Sequence, residues 1–215
     1  MTDQALMQRA LDELAWIPNF NEAHIGVTAR EGVVTLTGHV ASYAEKCEAE
    51  RSVGRVAGIK AIADELEIRY YENSGHGDEE IAKQAADILS WDLSVPKDSV
   101  KVIVDRGWLT LKGSVDWYYQ KSAAEADVRK LYGVMGVRNE ITIKPKLLAT
   151  DVREKIKAAL ERNAELEAKR IIVTVNGTKI TLTGEVDSYY ERTLAENTAW
   201  SAPGVTHVND ELSVI

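Results

Sequence analysis

The sequence predicts an α+β fold of three tandem two-layer sandwiches, each a three-stranded sheet covered on one face by two helices. Three observations predict it. One phrase is written three times: VTLTGHVASYAEK (Val34 to Lys46), LTLKGSVDWYYQK (Leu109 to Lys121) and ITLTGEVDSYYER (Ile180 to Arg192). Before each copy stands an apolar stripe of helical spacing followed by a run of period two. After each copy come a second helical stripe, a glycine turn and another period-two run. A pattern that recurs at this spacing is one supersecondary unit per repeat. The expected units are residues 1–71, 77–145 and 148–215.

The first helix of each unit is carried by Leu6, Ala10 and Leu14, then Ile81, Ala85 and Leu89, then Val152, Ile156 and Leu160. Spacing of i, i+4, i+8 puts these on one face, with charged residues around the rest. The hairpin follows. Ile25, Val27 and Ala29 alternate with Gly26, Thr28 and Arg30, and Val34 and Leu36 alternate with Thr35 and Thr37. Val100, Val102 and Val104 with Leu109 and Leu111 repeat the pattern, as do Ile171, Val173 and Val175 with Ile180 and Leu182. The turns at Glu31-Gly32, Asp105 to Gly107 and Asn176 to Thr178 hold residue types that tolerate positive φ.

The second strand ends at Gly38, Gly113 or Gly184, where a recurring glycine implies a conformation or a close approach that a Cβ would obstruct. The second helix starts next. Ser42 with Glu45, and Ser188 with Glu191, have capping-box spacing. Trp117 replaces that serine in the middle unit, so Asp116 is the expected cap. The inward stripe is Ala49, Val53 and Val56, then Ala124, Val128 and Leu131, then Ala195, Ala199 and Ala202. Turns at Gly58, Gly133 and Gly204 open the closing strands GIKAIADELEI, GVMGVRNEITI and GVTHVNDELSV. The linker ENSGHGD (Glu72 to Asp78) is polar and glycine-rich, the mark of a loose joint between units 1 and 2. KPKLLAT (Lys144 to Thr150) carries Pro145 and Leu147-Leu148 and reads as a tighter one.

Composition narrows the function. The formal charge is −8, with 7 basic against 12 acidic residues in 1–72, 11 against 11 in 73–147 and 8 against 11 in 148–215. No unit is net positive, which excludes nucleic acid as the expected partner. Cys47 stands alone, so no internal disulfide forms, as in a reducing compartment. The N-terminus has neither a basic start nor an apolar core of the secretory kind, and no apolar run approaches a membrane span. With Met1 as the native start, the expectation is a cytoplasmic protein without a transmembrane segment.

No chemical constellation stands out. His24, His39, His76 and His207 fall at a strand start, a corner, a linker and a closing turn, with no metal-ligand spacing. Glu65, Glu140 and Glu211 alternate away from the helices and form a solvated edge rather than acid–base pairs. The expectation is no enzyme, no cofactor and no metal.

The Gly-x-Val corner, the αββαβ order, the glycines Gly58/Gly133/Gly204 and the polar strand residues Asp64/Asn139/Asp210 together resemble the BON domain, a family of bacterial osmotically inducible periplasmic proteins and nodulation-type secretion components. All three units carry the resemblance. It implies a non-enzymatic module that binds phospholipid or membrane surfaces in osmotic or envelope stress. As alternatives it implies a scaffold for protein contacts, including self-association, or a cytoplasmic potassium-sensing module. It also implies a periplasmic location, at odds with the N-terminus.

Aromatic residues single out the middle unit, which holds Trp91, Trp108 and Trp117. Leu109 and Leu111 point toward the helices, so Trp108 projects from the other sheet face, where Ile103 joins it. The corresponding positions are Val33 and Thr28 in unit 1, and Lys179 and Thr174 in unit 3. An exposed Trp/Ile pair marks a contact surface for a neighbouring unit, another protein or copy, or a lipid interface. Cover by a neighbouring unit is the cheapest of the three. Lys97, Lys101, Arg106 and Lys112 form a local basic patch beside it. Trp16 and Trp91, at equivalent ends of the first helices, read first as lids over the domain end and second as ligand contacts.

Overall fold

The computed structural model describes residues 2–18, 20, 24–70, 77–145, 152–163, 166 and 170–215. Unit 1 comprises α1 (Asp3–Ala15), β1 (Ile25–Arg30), β2 (Val33–Val40), α2 (Tyr43–Gly54) and β3 (Ala61–Ile68). Unit 2 comprises α3 (Asp78–Trp91), β4 (Val100–Asp105), β5 (Trp108–Val115), α4 (Tyr118–Val128) and β6 (Gly136–Ile143). Unit 3 comprises α5 (Val152–Arg162), β7 (Ile171–Asn176), β8 (Lys179–Val186), α6 (Tyr189–Trp200) and β9 (His207–Val214). In every sheet the hairpin's second strand is central, antiparallel to the first and parallel to the third. The parallel partner requires a crossover, and the second helix is that crossover.

The nine first-helix stripe residues are buried, and each packs into its own unit's core with the inward strand residues. The reason for glycine at the corner is geometric. Gly38, Gly113 and Gly184 have φ of 107°, 149° and 126°, and a Cβ there would stand 2.0, 2.0 and 1.9 Å from the carbonyl oxygens of His24, Ser99 and Arg170. The serine caps form as the spacing requires: Ser42 Oγ accepts from Glu45 N at 3.2 Å, and Glu45 Oε2 accepts from Ala41 N at 2.9 Å. Ser188 and Glu191 repeat both bonds. The middle unit differs from expectation. Its cap position is Trp117, not Asp116, and no side chain caps the helix. Gln120 compensates, Oε1 accepting from the N–H groups of Asp116 and Trp117 at 3.0 and 3.1 Å, while the Asp116 carboxylate pairs with Lys144.

Asp64, Asn139 and Asp210 tie the third strand to the second helix. Each accepts from the backbone N–H two residues on, at 3.0, 3.2 and 3.0 Å. Each also reaches the helix: Asp64 to Lys46, Asn139 to the Lys121 carbonyl and Glu125, and Asp210 to Arg192. Glu65, Glu140 and Glu211, one residue on, are exposed.

The second helices also join the units. Tyr43, at the start of α2, packs against the core of unit 2 together with Val137, and Arg129 lies beside it. Tyr118, at the start of α4, stacks on Trp200 of unit 3 with ring centroids 4.8 Å apart and planes 12° apart. Tyr189, at the start of α6, lies on Gly54 of unit 1, where an added Cβ would meet its ring at 3.1 Å. Arg129, Trp200 and Gly54 hold one equivalent place, eleven residues after the unit's own tyrosine. The same joint is therefore made three times, unit 1 on 2, 2 on 3 and 3 on 1. Heterologous contacts that close in this way form a ring about an approximate threefold axis.

Two of the joints carry extra bonds. Tyr70 donates its hydroxyl to the Val134 carbonyl at 2.9 Å and packs on Tyr132, while Tyr189 N donates to the Ile59 carbonyl at 3.3 Å. Units 1 and 2 are thus firmly docked, against the loose joint expected from the polar linker. Linker composition governs the path between units, whereas side chains elsewhere decide whether they dock. Residues 71–76 and 146–150, which hold most of both linkers, lie outside the described residues.

Two outcomes follow from this geometry. Gly113→Ala should lower stability by at least about 2 kcal/mol in urea unfolding, since strained φ and overlap with the Ser99 carbonyl add. Tyr189→Ala should release unit 3 from unit 1, raising the radius of gyration in small-angle scattering while the far-ultraviolet circular dichroism stays unchanged.

Candidate functional site

The outer face of the unit 2 sheet is built by strand alternation and register. Leu109 and Leu111 are fully buried, so Trp108, Thr110 and Lys112 between them face away from the helices. Pairing across the sheet gives three rows: Asp105–Trp108–Gly136, Ile103–Thr110–Arg138 and Lys101–Lys112–Glu140. Trp108 is 55% exposed and Ile103 51%. The neighbouring-unit cover expected for this pair is absent, because the second helices turn inward to the ring's hub and leave the sheets facing outward.

Gly136 decides how the indole sits. A Cβ at that position would stand 2.4 Å from the six-membered ring of Trp108, so the ring lies flat on glycine backbone. Unit 1 has Ala61 at this place and unit 3 has His207. A shallow cleft of about 480 Å³ lies along the ring, lined by Ile103, Asp105, Arg106, Trp108, Met135 and Arg138 among others. Arg106 is fixed at its base: its residue has φ 51°, and the N–H groups of Arg106 and Gly107 donate to the Asp78 carboxylate at 2.8 and 2.9 Å. The guanidinium is left to line the cleft.

The charge of this face departs from the unit's neutral total. Lys101, Arg106, Lys112 and Arg138 stand against Asp105 and Glu140, and among the described residues Lys112 is the one of the four cations in a salt bridge, with Glu140 at 3.4 Å. Arg138 escaped the sequence reading because it sits on the third strand, far along the chain from Trp108. Alternation from the buried Ile141 would have found it. Lys97 is exposed in the loop before β4 and is not part of the cleft.

Three other tryptophan candidates sit elsewhere. Trp117 is half-buried beyond the far end of β5 from Trp108. Trp16 and Trp91 are not lids: each is 83% exposed, with Leu93 standing free beside Trp91. Their helices end at these residues, and the cores close instead on Leu14 and Leu89 below them. The histidines are not all unrelated either. Hairpin register sets His24 opposite His39, and the rings stack at 4.5 Å. Among the described residues no group of three His, Cys, Asp or Glu side chains could hold a metal ion, and no helix is long and apolar enough to cross a membrane.

The family model for the BON domain matches three times, at residues 2–70, 77–145 and 149–215. The chain belongs to the BON-domain family. One relative is the osmotically-inducible protein Y of Escherichia coli (strain K12), 30% identical over 148 residues that make up 67% of this chain and 74% of that protein. Among solved structures, CdsD, a structural protein of the type III secretion system of Chlamydia trachomatis, aligns at 17% identity over 98% of this chain and 92% of that one, with a TM-score of 0.27. Its C-terminal domain aligns at 16% identity over both chains in full, also with a TM-score of 0.27.

The BON units are alike in backbone and differ at the hub. Burial pushes the Tyr43 phenol up to about 12, the Cys47 thiol beside it adding to the effect. Burial also raises the Cys47 thiol and the phenols of Tyr118 and Tyr189. Because the folded value of Tyr43 lies above the ordinary 10, its share of stability is complete below pH 10 and lost as pH rises toward 12. Alkaline titration followed at the tyrosinate band should therefore show a late phase near pH 12 that Tyr43→Phe abolishes.

Proposed function

We propose that this BON protein is a non-catalytic binding module whose unit 2 sheet face docks on an anionic phospholipid surface in osmotic or envelope stress. The observation that carries this reading is the exposed pair of Trp108 and Ile103, on adjacent rows of the sheet, beside Arg106 and Arg138. Indole and aliphatic side chains favour the interfacial region of a bilayer, and each basic side chain near an anionic surface contributes about 1 kcal/mol. Lys101 and Lys112 extend the basic edge, while Trp91 and Trp117 lie off this face and would meet a partner only separately. The association with osmotic stress comes from the Escherichia coli relative. The absence of catalysis is supported by the repeated polar residues Asp64, Asn139 and Asp210, which all tie strand to helix.

Vesicle flotation tests the reading. The protein should float with anionic vesicles and not with neutral ones, and less as salt rises and the Debye length falls below about 10 Å. Trp108→Ala and the pair Arg106→Gln/Arg138→Gln should each weaken flotation by about tenfold or more. Flotation that ignores these changes, or that fails with every vesicle, sinks the lipid reading, and a protein partner captured through Trp108 would replace it.

A further inference from the structure

The three second helices leave a cavity of about 430 Å³ at the hub of the ring, on the side of each unit away from the exposed sheet faces. Its wall comes from all three units: Glu50 of α2, Glu125 and Arg129 of unit 2, and Tyr190, Thr193 and Asn197 of α6.

Glu50, Glu125 and Glu196 are equivalent residues, and two of them find a partner one helical turn on. Glu125 Oε1 pairs with Arg129 at 2.8 Å, and Glu196 Oε1 accepts from the Trp200 indole N–H at 3.2 Å. The residue one turn after Glu50 is Gly54, which has no side chain to give. Among the described residues Glu50 makes no hydrogen bond and no ion pair.

The cations near Glu50 are already engaged. Lys46 is held by Asp64 at 3.3 Å and by the Leu66 carbonyl at 2.7 Å, and Arg51 by Glu48. Arg129 also lines the wall, but its guanidinium is held by Glu125 at 2.8 Å and makes no ion pair with Glu50 among the described residues. Burial, and then the nearby Asp64 carboxylate, raise the Glu50 carboxyl above its ordinary range against the opposing pull of Arg129 and Lys46. The charge that the wall leaves unmatched is thus one carboxylate.

We propose that the hub binds a small organic ammonium ion, which occupies on Glu50 the place that Arg129 and Trp200 fill on the two equivalent glutamates. Thr193 and Asn197 supply neutral oxygen acceptors, and the tyrosine ring in the wall suits a cation's methyl or methylene groups. A bare metal ion is far smaller than the space, and among the described residues no cluster of ligands stands there to hold one. Because three units make the wall, the ligand stabilises the closed ring through linkage.

Isothermal titration of the full chain with choline and with putrescine, at constant ionic strength against sodium and potassium chloride, tests this. Saturable binding by either amine is expected, with a raised unfolding midpoint. Choline alone would indicate quaternary ammonium as the preferred form, and putrescine alone primary. Glu50→Gln should weaken binding at least tenfold while its own midpoint stays at or above wild type, since an uncompensated carboxylate is removed. Asn197→Leu, on the other wall, should weaken binding several-fold and serves if Glu50→Gln folds poorly. No saturable heat beyond the inorganic salts, or equal binding in Glu50→Gln or Asn197→Leu, overturns the proposal. None of these measurements uses a vesicle, so the two readings fail separately.

Discussion

A tyrosine at the first turn of each second helix holds the molecule together. The folding of a single unit does not call for Tyr43, Tyr118 or Tyr189, because each points out of its own sandwich and into the next. Units of this size bury a smaller share of their unfolded surface than larger domains do, only about 60%, and are marginal alone. The joints add the missing burial. They also dictate where everything else lies: helices to the centre, sheets to the outside, a cavity of mixed lining at the hub. Three units satisfy every tyrosine and every receiving site, so the ring closes without a spare end.

The receiving places show how much variation such a joint tolerates. Gly54, Arg129 and Trp200 could hardly differ more, yet each accepts a tyrosine ring. Trp200 does so by stacking, Arg129 with its guanidinium beside the phenol, and Gly54 by yielding space. The same freedom appears in the strand tether, where two carboxylates and one amide make the same backbone bond and then reach the helix through different partners. Geometry is held constant while chemistry drifts, and the drift leaves unlike surfaces on like scaffolds.

Within a unit, nearly all of this was legible in the chain. Period two and period 3.6 report which way a side chain faces, and Leu6, Ala10, Leu14, Leu109 and Leu111 face where periodicity puts them. Periodicity says nothing about what lies beyond the unit. It left open what covers Trp108, and it made lids of Trp16 and Trp91, because exposure depends on neighbours that only the assembled ring defines. A usable signal did exist: the tyrosine recurs in all three phrases without a place in its own core stripe. Arg138 and the facing His24 and His39 were hidden for another reason, since pairing register is a property of two strands at once.

The ring gives the protein three geometrically equivalent outer faces, and Gly136 makes them unequal. By letting one indole lie flat, it gives a single face an apolar plate framed by arginines, while the faces of units 1 and 3 point away by a third of a turn each. A body with one adhesive side out of three has a heading as well as an affinity. Resting on a surface through unit 2, it would carry its other two sheets at fixed angles into the solvent, each holding up an edge strand for whatever approaches from that side.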